Sequence, residues 1–194
     1  LAGDEANFPP GPFARAYEIA HDAGLGLTCH AGEWAGPESV RGALALPVPV
    51  TRLGHGVRII DDIEAADGVR TVPAQVRLGR LAAYVRDKRI PLEMCPSSNV
   101  QTGAVESIAS HPFDLLARLR FRVTVNTDNR LMSGVTMSSE FETLSRAFDF
   151  GPDEMQWLTL NAMKSAFASF DERLRLINGV IKPGYARLIA EADF

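Results

Sequence analysis

Four short apolar runs in this sequence each end in polar residues whose side chains can do chemistry. The runs end at His30, His55, Cys95 and Asp128. Imidazole, thiolate and carboxylate groups bind metal ions, and imidazole and carboxyl groups also carry protons. The carboxyl ends of parallel strands meet at one face of an α/β barrel, where such enzymes build their active sites. The pattern therefore predicts one shared mouth suited to metal-assisted attack by water.

The first run leads into the sequence His30-Ala31-Gly32-Glu33. The two small residues let the chain turn sharply after the strand, so that both polar side chains can face one cavity. A neutral imidazole is a zinc ligand, and a carboxyl group in a pocket of low polarity can keep a proton and act as a general acid. The alternative is a histidine bonded to a backbone carbonyl and a glutamate that caps a helix.

The second and fourth runs supply His55, which lies between two glycines, and Asp128, which follows β-branched residues. Glycines would present the imidazole to a ligand, and a carboxylate buried at a strand end is costly unless it is paired or bound to metal. The alternatives are a surface histidine in a turn and an aspartate that caps the next segment. Spacing alone assembles His30, His55 and Asp128 into a zinc centre with water as fourth ligand, but does not tell which histidine holds metal.

The remaining reactive residues are weaker candidates. Cys95 precedes Pro-Ser-Ser-Asn, and a buried thiol before a polar turn is the favoured interpretation, because no helix N-terminus or charged partner is evident beside it. His21 lies inside a predicted helix and His111 at the start of another, so both are expected to be solvated or capping.

Helical patterns separate the four runs and continue after the last one. The predicted helices are 13–23, 37–45, 61–67, 76–88, 111–119, 138–148, 153–167 and 171–178, with Gly179 as the stop signal of the last. Strands that alternate with helices imply parallel βαβ units. We expect residues 1–194 to form a single α/β domain, the C-terminal half of a (β/α)8 barrel with added C-terminal helices. Because the residues from Leu1 onward resemble the end of a strand, we expect a further part of the protein upstream of them.

Composition narrows the classes of function. The chain has 194 residues, a net charge of -4, 46% hydrophobic and 23% charged residues, which favours a packed core and disfavours nucleic-acid binding. No apolar run approaches the roughly 20 residues of a membrane helix, and no signal peptide is visible. Two cysteines favour free thiols in a reducing compartment. We expect a cytoplasmic protein without membrane or nucleic-acid partners, and the oligomeric state stays open.

From Leu1 to about Ser165 the chain resembles the C-terminal part of the adenosine and adenine deaminase family of metal-dependent hydrolases. The shared segments are Leu1-Ala2-Gly3-Asp4-Glu5, His30-Ala31-Gly32-Glu33, Gly54-His55-Gly56, Cys95-Pro96-Ser97-Ser98-Asn99 and Asn126-Thr127-Asp128. Each segment alone is weak, whereas all five in this order are specific. The stretch from Asn126 to Gly134 resembles the actinobacterial branch.

The resemblance implies a zinc enzyme that hydrolyses adenosine and 2′-deoxyadenosine to inosine and ammonia in purine salvage. His30 matches a zinc ligand, and Asp128 matches the zinc-binding aspartate that also holds the attacking water. Glu33 matches the acid that protonates purine N1. His55 matches the residue that orients and polarises the water without binding metal strongly.

Two further positions and one absence complete this comparison. Gly3 matches the glycine whose backbone approaches the purine ring, and Asn129 replaces the aspartate that bonds purine N7 in most relatives. The family's other two zinc ligands lie on a His-x-His, a sequence that does not occur in these 194 residues. We therefore expect this chain alone to hold zinc weakly and to be inactive. The alternatives are deamination of adenine or another 6-aminopurine, and a non-catalytic remnant or interaction module.

Overall fold

Six strands and ten α-helices make up the computed structural model, which describes residues 1–48, 50–65 and 76–192. The strands are β1 (Thr28–Ala31), β2 (Arg52–His55), β3 (Ile63–Ala65), β4 (Val76–Leu78), β5 (Pro91–Met94) and β6 (Arg122–Val125). The helices are α1 (Ala14–Asp22), α2 (Pro37–Leu44), α3 (Arg80–Asp87), α4 (Pro96–Gln101), α5 (Phe113–Arg118), α6 (Arg130–Ser133), α7 (Met137–Phe148), α8 (Pro152–Ser165), α9 (Phe170–Leu176) and α10 (Lys182–Ala192).

The central sheet is parallel, with the strand order β1-β2-β5-β6. Its strands are short and apolar, and Leu53, Leu92 and Val123 are fully buried in them. Such continuous burial is typical of parallel sheets covered by crossover helices. The four predicted strands are therefore confirmed. Because all four run in the same direction, their carboxyl ends lie at one edge, as the sequence predicts.

Two contacts define the sides of this sheet. The carbonyl oxygen of Leu1 accepts a hydrogen bond from the backbone N–H of His30 at 3.0 Å, so the start of the chain lies beside β1. At the other side, the buried Asn161 of α8 donates its amide to the carbonyl oxygen of Val123 at 3.2 Å. Helix α8 is thereby fixed against β6.

The region between β2 and α3 differs from the prediction. The predicted helix 61–67 is wrong: a 3-10 helix ends at Asp62, and β3 follows it, while residues 66 and 67 lie outside the described residues. The predicted helix 76–88 is wrong over its first residues, because 76–78 form β4, which pairs antiparallel with β3. Over three residues, strand alternation and helical spacing give the same apolar pattern, so the sequence could not separate them.

The end signal at Gly179 is also wrong. A π-helical turn, Ile177–Ile181, carries the chain from α9 directly into α10. Gly179 is not among the glycines with positive φ, so it does not take the left-handed conformation by which glycine ends a helix. The other predicted helices begin and end within about two residues of their predicted bounds. Among the described residues, no helix has the length and apolar content needed to cross a bilayer.

The packing around β6 gives a direct test of the core. Phe121, just before β6, is fully buried, whereas Phe170 at the start of α9 is 68% exposed. We expect Phe121→Ala to lower the free energy of unfolding by about 3–5 kcal/mol, because it leaves a cavity. Phe170→Ala should change it by less than about 1 kcal/mol. Denaturant titration followed by circular dichroism measures both, and equal losses would contradict this core.

Candidate active site

The polar residues at the carboxyl edge of the sheet surround a cavity of about 660 Å³. Gly3, His30, Glu33, Thr102 and Asp128 are among the residues that line it. A cavity of this size is ordinary for a small-molecule site. Residues that are far apart in the sequence are therefore brought together at one mouth, as the strand-end pattern predicts.

His30 is held between the start of the chain and the neighbouring strand. The backbone N–H of Gly3 donates a hydrogen bond to Nδ1 of His30 at 3.1 Å. On the other side, Gly54 of β2 is the register partner of His30. A Cβ atom at position 54 would lie 2.7 Å from Cδ2 of His30, closer than such atoms approach. The histidine therefore depends on a glycine at position 54.

Two of the predicted site residues have backbone conformations that are rare outside glycine. His55 has a φ of 63° and Asp128 a φ of 55°, and each stands where its strand gives way to the following loop. Histidine and aspartate adopt this left-handed region more readily than most residues, and such positions are frequent at functional sites. The turn that follows each strand therefore sets where these two side chains lie.

The turn after β1 is fixed by a buried carboxylate. Gly32 has a φ of 77°, which lets the chain bend immediately after the strand. Oε1 of Glu5 then accepts hydrogen bonds from the backbone N–H groups of residues 33, 34 and 35 at 2.7, 2.7 and 2.8 Å. Hydrogen bonds to a charged acceptor are among the strong ones. Glu5, which in the sequence is visible only as part of a motif, thus positions the backbone of Glu33.

Glu33 and His55 form a buried pair. Oε2 of Glu33 lies 3.3 Å from Nε2 of His55, and both side chains are almost inaccessible to solvent. Burial, followed by the nearby His30, lowers the pKa of His55 to about 4. Burial also raises the pKa of Glu33, partly offset by the hydrogen bond from Thr102. The pair therefore combines a neutral imidazole with a carboxyl group that is inclined to keep a proton.

Two residues that the sequence analysis did not single out complete the surroundings of Glu33. Its Oε1 accepts hydrogen bonds from Oγ1 of Thr102 at 3.1 Å and from Nδ2 of Asn99 at 3.4 Å. Asn99 also contacts Nδ1 of His55 at 3.1 Å and Nε2 of His111 at 3.3 Å. The expectation that His111 is solvated is wrong, since it is buried, whereas the capping alternative is confirmed, because its Nδ1 accepts the N–H of Phe113 at the start of α5. Asn99 stood inside a motif, but nothing local in the sequence marked His111.

Asp128 and Asn129 are placed differently from the prediction. Asp128 is exposed at the mouth, so the expectation of a buried carboxylate is wrong; its Oδ2 accepts a hydrogen bond from Oγ of Ser98 at 2.7 Å. Asn129 caps α6 by accepting the N–H of Met132 at 3.2 Å. Asn129 is not among the residues that line the cavity, and within the part of the chain described its side-chain N–H groups donate no hydrogen bond.

Cys95 is a buried thiol, but the element that follows it is not a turn. Helix α4 begins at the next residue, which corrects the expected polar turn. The thiol lies 3.3 Å from the carbonyl oxygen of Glu93, and burial raises the pKa of Cys95 well above its usual range. A thiol that stays protonated is a poor nucleophile. Cys95 therefore packs in the core, as the favoured interpretation had it.

The donor groups at the mouth form two overlapping clusters that could hold a metal ion. One consists of His30, Glu33 and His55, and the other of His55, Cys95 and Asp128; within each, the candidate ligand atoms lie within 4.8 Å of one another. Imidazole nitrogens and carboxylate oxygens are the donors that zinc takes in catalytic sites. The donor set of this chain therefore fits zinc chemically.

Comparison with known proteins agrees with this geometry. Residues 1–183 match the adenosine deaminase family. The chain is 58% identical over 190 residues to an adenosine deaminase of the actinobacterium Mycobacteroides abscessus, covering 97% of this chain and 51% of that protein. The chain thus spans about half the length of the curated relatives it matches.

Two solved structures share the fold. An adenine deaminase from Arthrobacter aurescens superposes with a TM-score of 0.80 at 28% identity, covering 94% of this chain and 50% of that one. An amidohydrolase from Burkholderia ambifaria with bound zinc gives 0.79 at 24% identity, covering 98% and 48%. These are TIM-barrel enzymes, so the α/β fold class and the half-barrel expected from the sequence are confirmed.

Gly54→Ala tests the close approach of β1 and β2. The added methyl group meets the His30 ring, so we expect weaker binding of zinc and at least about tenfold lower catalytic efficiency in the complete polypeptide that contains this chain. Gly42→Ala in α2 is the control, because its methyl group meets nothing within 4 Å. It should leave zinc content unchanged. Equal zinc content in both variants would contradict the role given to Gly54.

The buried His111 gives a pH dependence of stability. Its pKa is lowered by burial from 6.5 to about 4. The folded state therefore binds this proton less readily than the unfolded chain, so stability is full above about pH 6.5 and is lost as the pH falls towards 4. Between pH 7.5 and pH 5 the parent should lose about 2 kcal/mol of unfolding free energy because of His111. The variant His111→Gln should not show this part of the loss.

Denaturant titrations at a series of pH values measure this difference. His21→Gln is the matched control, because the side chain of His21 is 50% exposed. That variant should keep the pH dependence of the parent. If the curves of His111→Gln and the parent ran parallel through this range, His111 would not be buried as a neutral ring.

Proposed function

The chain belongs to the adenosine deaminase family, and we propose that the polypeptide containing it hydrolyses adenosine and 2′-deoxyadenosine to the inosine products and ammonia. The observation that carries this proposal is the buried Glu33–His55 pair beside His30 and Asp128 at one cavity. Such a pair supplies a proton donor and a neutral imidazole at the place where a purine would lie. The small-molecule substrate, a cytoplasmic location and a place in purine salvage are parts of the same proposal.

In this proposal Glu33 is the general acid. Burial raises the pKa of Glu33, which favours its protonated form, and in this proposal that proton passes to N1 of the purine. Protonation at N1 makes C6 more electrophilic. Water then adds to C6: one of its protons passes to the 6-amino group, the C6–N bond breaks as ammonia leaves, and the second proton returns to Glu33 as the C6 carbonyl forms. His55, held 3.3 Å from Glu33, orients the attacking water.

His30 and Asp128 are the residues of this chain that would hold zinc. Zinc held there would supply a nucleophile at neutral pH, because a bound ion of this kind lowers the pKa of water. Nδ1 of His30 accepts a hydrogen bond from the N–H of Gly3 at 3.1 Å, which holds the ring at the cavity wall.

In this proposal the backbone of Gly3 lies against the purine ring. Gly3 lines the cavity, and a Cβ atom built on it would meet nothing within 4 Å, so there is open space beside its backbone. Trp34 lines the same cavity with a 53% exposed indole, a surface suited to a flat heterocycle. Asn129 is assigned to purine N7, because an amide N–H can donate that bond without first taking up a proton.

Deamination of free adenine is the second candidate. The observation that favours it is the fold shared with the adenine deaminase from Arthrobacter aurescens at 28% identity. The two substrates differ only by the ribose. A direct comparison of turnover with adenosine and with adenine therefore separates the two functions.

The proposal predicts ammonia release from adenosine by the complete polypeptide loaded with zinc. Glu33→Gln should lower kcat by about 100-fold to 10,000-fold with little change in KM, because it removes the proton donor but keeps the shape. An enzyme-coupled ammonia assay measures both constants. Glu38→Gln is the matched control, since Glu38 is 82% exposed on α2.

Three results would contradict the proposal. They are no ammonia from either purine, faster turnover of adenine than of adenosine, and a Glu33→Gln variant as active as the control. The 194-residue chain assayed alone should be inactive and should retain little zinc, since the proposal assigns two of its described residues, His30 and Asp128, as ligands. Stoichiometric zinc on this chain alone would show that its ligand set is complete.

A further inference from the structure

His111 lies behind the site and is not among the residues that line the cavity, yet it is joined to His55 by a short chain of hydrogen bonds. It is 3% exposed and contacts the buried Asn99, which contacts both His55 and Glu33. None of these contacts is local along the chain. A network this deeply buried costs stability unless every member is satisfied, so its proton positions can be worked out.

The backbone fixes the proton of His111. The N–H of Phe113 donates to Nδ1 of His111 at 3.1 Å, so this nitrogen carries a lone pair. Burial lowers the pKa of His111 to about 4, so the ring is neutral near pH 7 and has one proton. That proton must be on Nε2, which faces Oδ1 of Asn99 at 3.3 Å. His111 is therefore a hydrogen-bond donor to Asn99.

The same reasoning fixes the orientation of the Asn99 amide. Its Oδ1 accepts from Nε2 of His111 and from the backbone N–H of Cys95, both at 3.3 Å. Two donors converge on this atom, so it is the oxygen of the amide. The nitrogen is then on the other side, where it lies 3.1 Å from Nδ1 of His55 and 3.4 Å from Oε1 of Glu33. Its two protons match these two acceptors.

We propose that His111 and Asn99 are positioning residues that hold His55 in the tautomer with its proton on Nε2. Since Nδ1 of His55 accepts from Asn99, the ring proton lies on Nε2, the atom 3.3 Å from Oε2 of Glu33. The edge of His55 that faces Glu33 is therefore a donor. Oriented by this contact, His55 offers a hydrogen bond to the attacking oxygen and does not take a proton from it.

This assignment gives His55 the role of a hydrogen-bond donor and leaves the transfer of a proton to Glu33. A donor at Nε2 stabilises negative charge on the oxygen that adds to C6, as donors aimed at a developing charge do in other enzymes. The opposite tautomer would point a lone pair at that oxygen and at Glu33. The kinetic consequence rests on the proposed deaminase function, whereas the tautomer itself does not.

The tautomer is measured first, on the metal-free complete polypeptide with ¹⁵N-labelled histidine. Long-range ¹H–¹⁵N correlation spectra distinguish a protonated ring nitrogen from one with a lone pair, and a His55→Gln variant assigns the signals. We expect a protonated Nε2 and an unprotonated Nδ1 for His55, and the same for His111. A protonated Nδ1 in His55 of the parent would overturn the proposal whether or not the protein is a deaminase.

Variants then test the chain of contacts. Asn99→Asp places an acceptor against Nδ1 of His55 and should move the ring proton onto Nδ1. His111→Leu leaves Oδ1 of Asn99 with one donor and should give a mixture of the two tautomers. In the zinc-loaded enzyme both should lower kcat by roughly 100-fold with KM changed less than about threefold, because the wrong tautomer affects the chemical step.

His111→Gln is the rescue variant, because its side-chain amide can still donate to Asn99. It should keep the parental tautomer of His55 and recover kcat to within about tenfold of the parent. Loss of kcat in Asn99→Asp and His111→Leu without any change in the His55 tautomer would overturn the proposal. If these variants do not fold, the spectrum of the parent still shows which nitrogen of His55 carries the proton, and this decides the proposal. If the parent releases no ammonia, only the proposed function fails.

Discussion

The side-chain amide of Asn99 is the interaction on which the rest of the site depends. It is fully buried, and its oxygen and nitrogen together meet His111, the backbone of Cys95, His55 and Glu33. Each of these groups comes from a different segment, so one amide ties four parts of the chain together. Leaving such a buried amide unpaired would cost about 1–3 kcal/mol per group, which favours the single arrangement that satisfies all of them.

Asn99 can reach all of these groups only because α4 begins at Pro96. The helix starts directly after Cys95, and the backbone N–H of Ser97 near its start is accepted by the buried Glu140 of α7 at 3.1 Å. The first turn of α4 is thereby held against α7 while Ser98 and Asn99 point into the site. The structure thus relies on a six-residue helix that has no strong hydrophobic pattern of its own, and tertiary contacts stabilise it in place of propensity.

Sequence reasoning found the parts of this protein whose signals are local. The four strands were predictable because each is a short apolar run, and the chemistry at their ends was visible as His30, Glu33, His55 and Asp128. The β3–β4 pair and α4 were missed because three to six residues are too few for a period to show. The burial of His111 was not predicted, for a different reason. Its burial and its partner 12 residues away depend on packing, which no spacing rule reports.

One part of the site is buried and the other is accessible to solvent, and this difference fits the chemistry proposed for the residues in each part. His55 and Glu33 are buried, so the charged form of each is disfavoured and their proton positions are set by the surrounding hydrogen bonds. Asp128 is exposed and His30 half-buried at the cavity wall, where a hydrated ion can enter and exchange its waters for protein ligands. A carboxylate that must stay ionised to bind a cation is best kept in contact with water. An acid that must stay protonated is best kept away from it. The expectation of a buried Asp128 failed because its burial was inferred from the apolar residues of the preceding strand, whereas its exposure is set by the loop that follows β6.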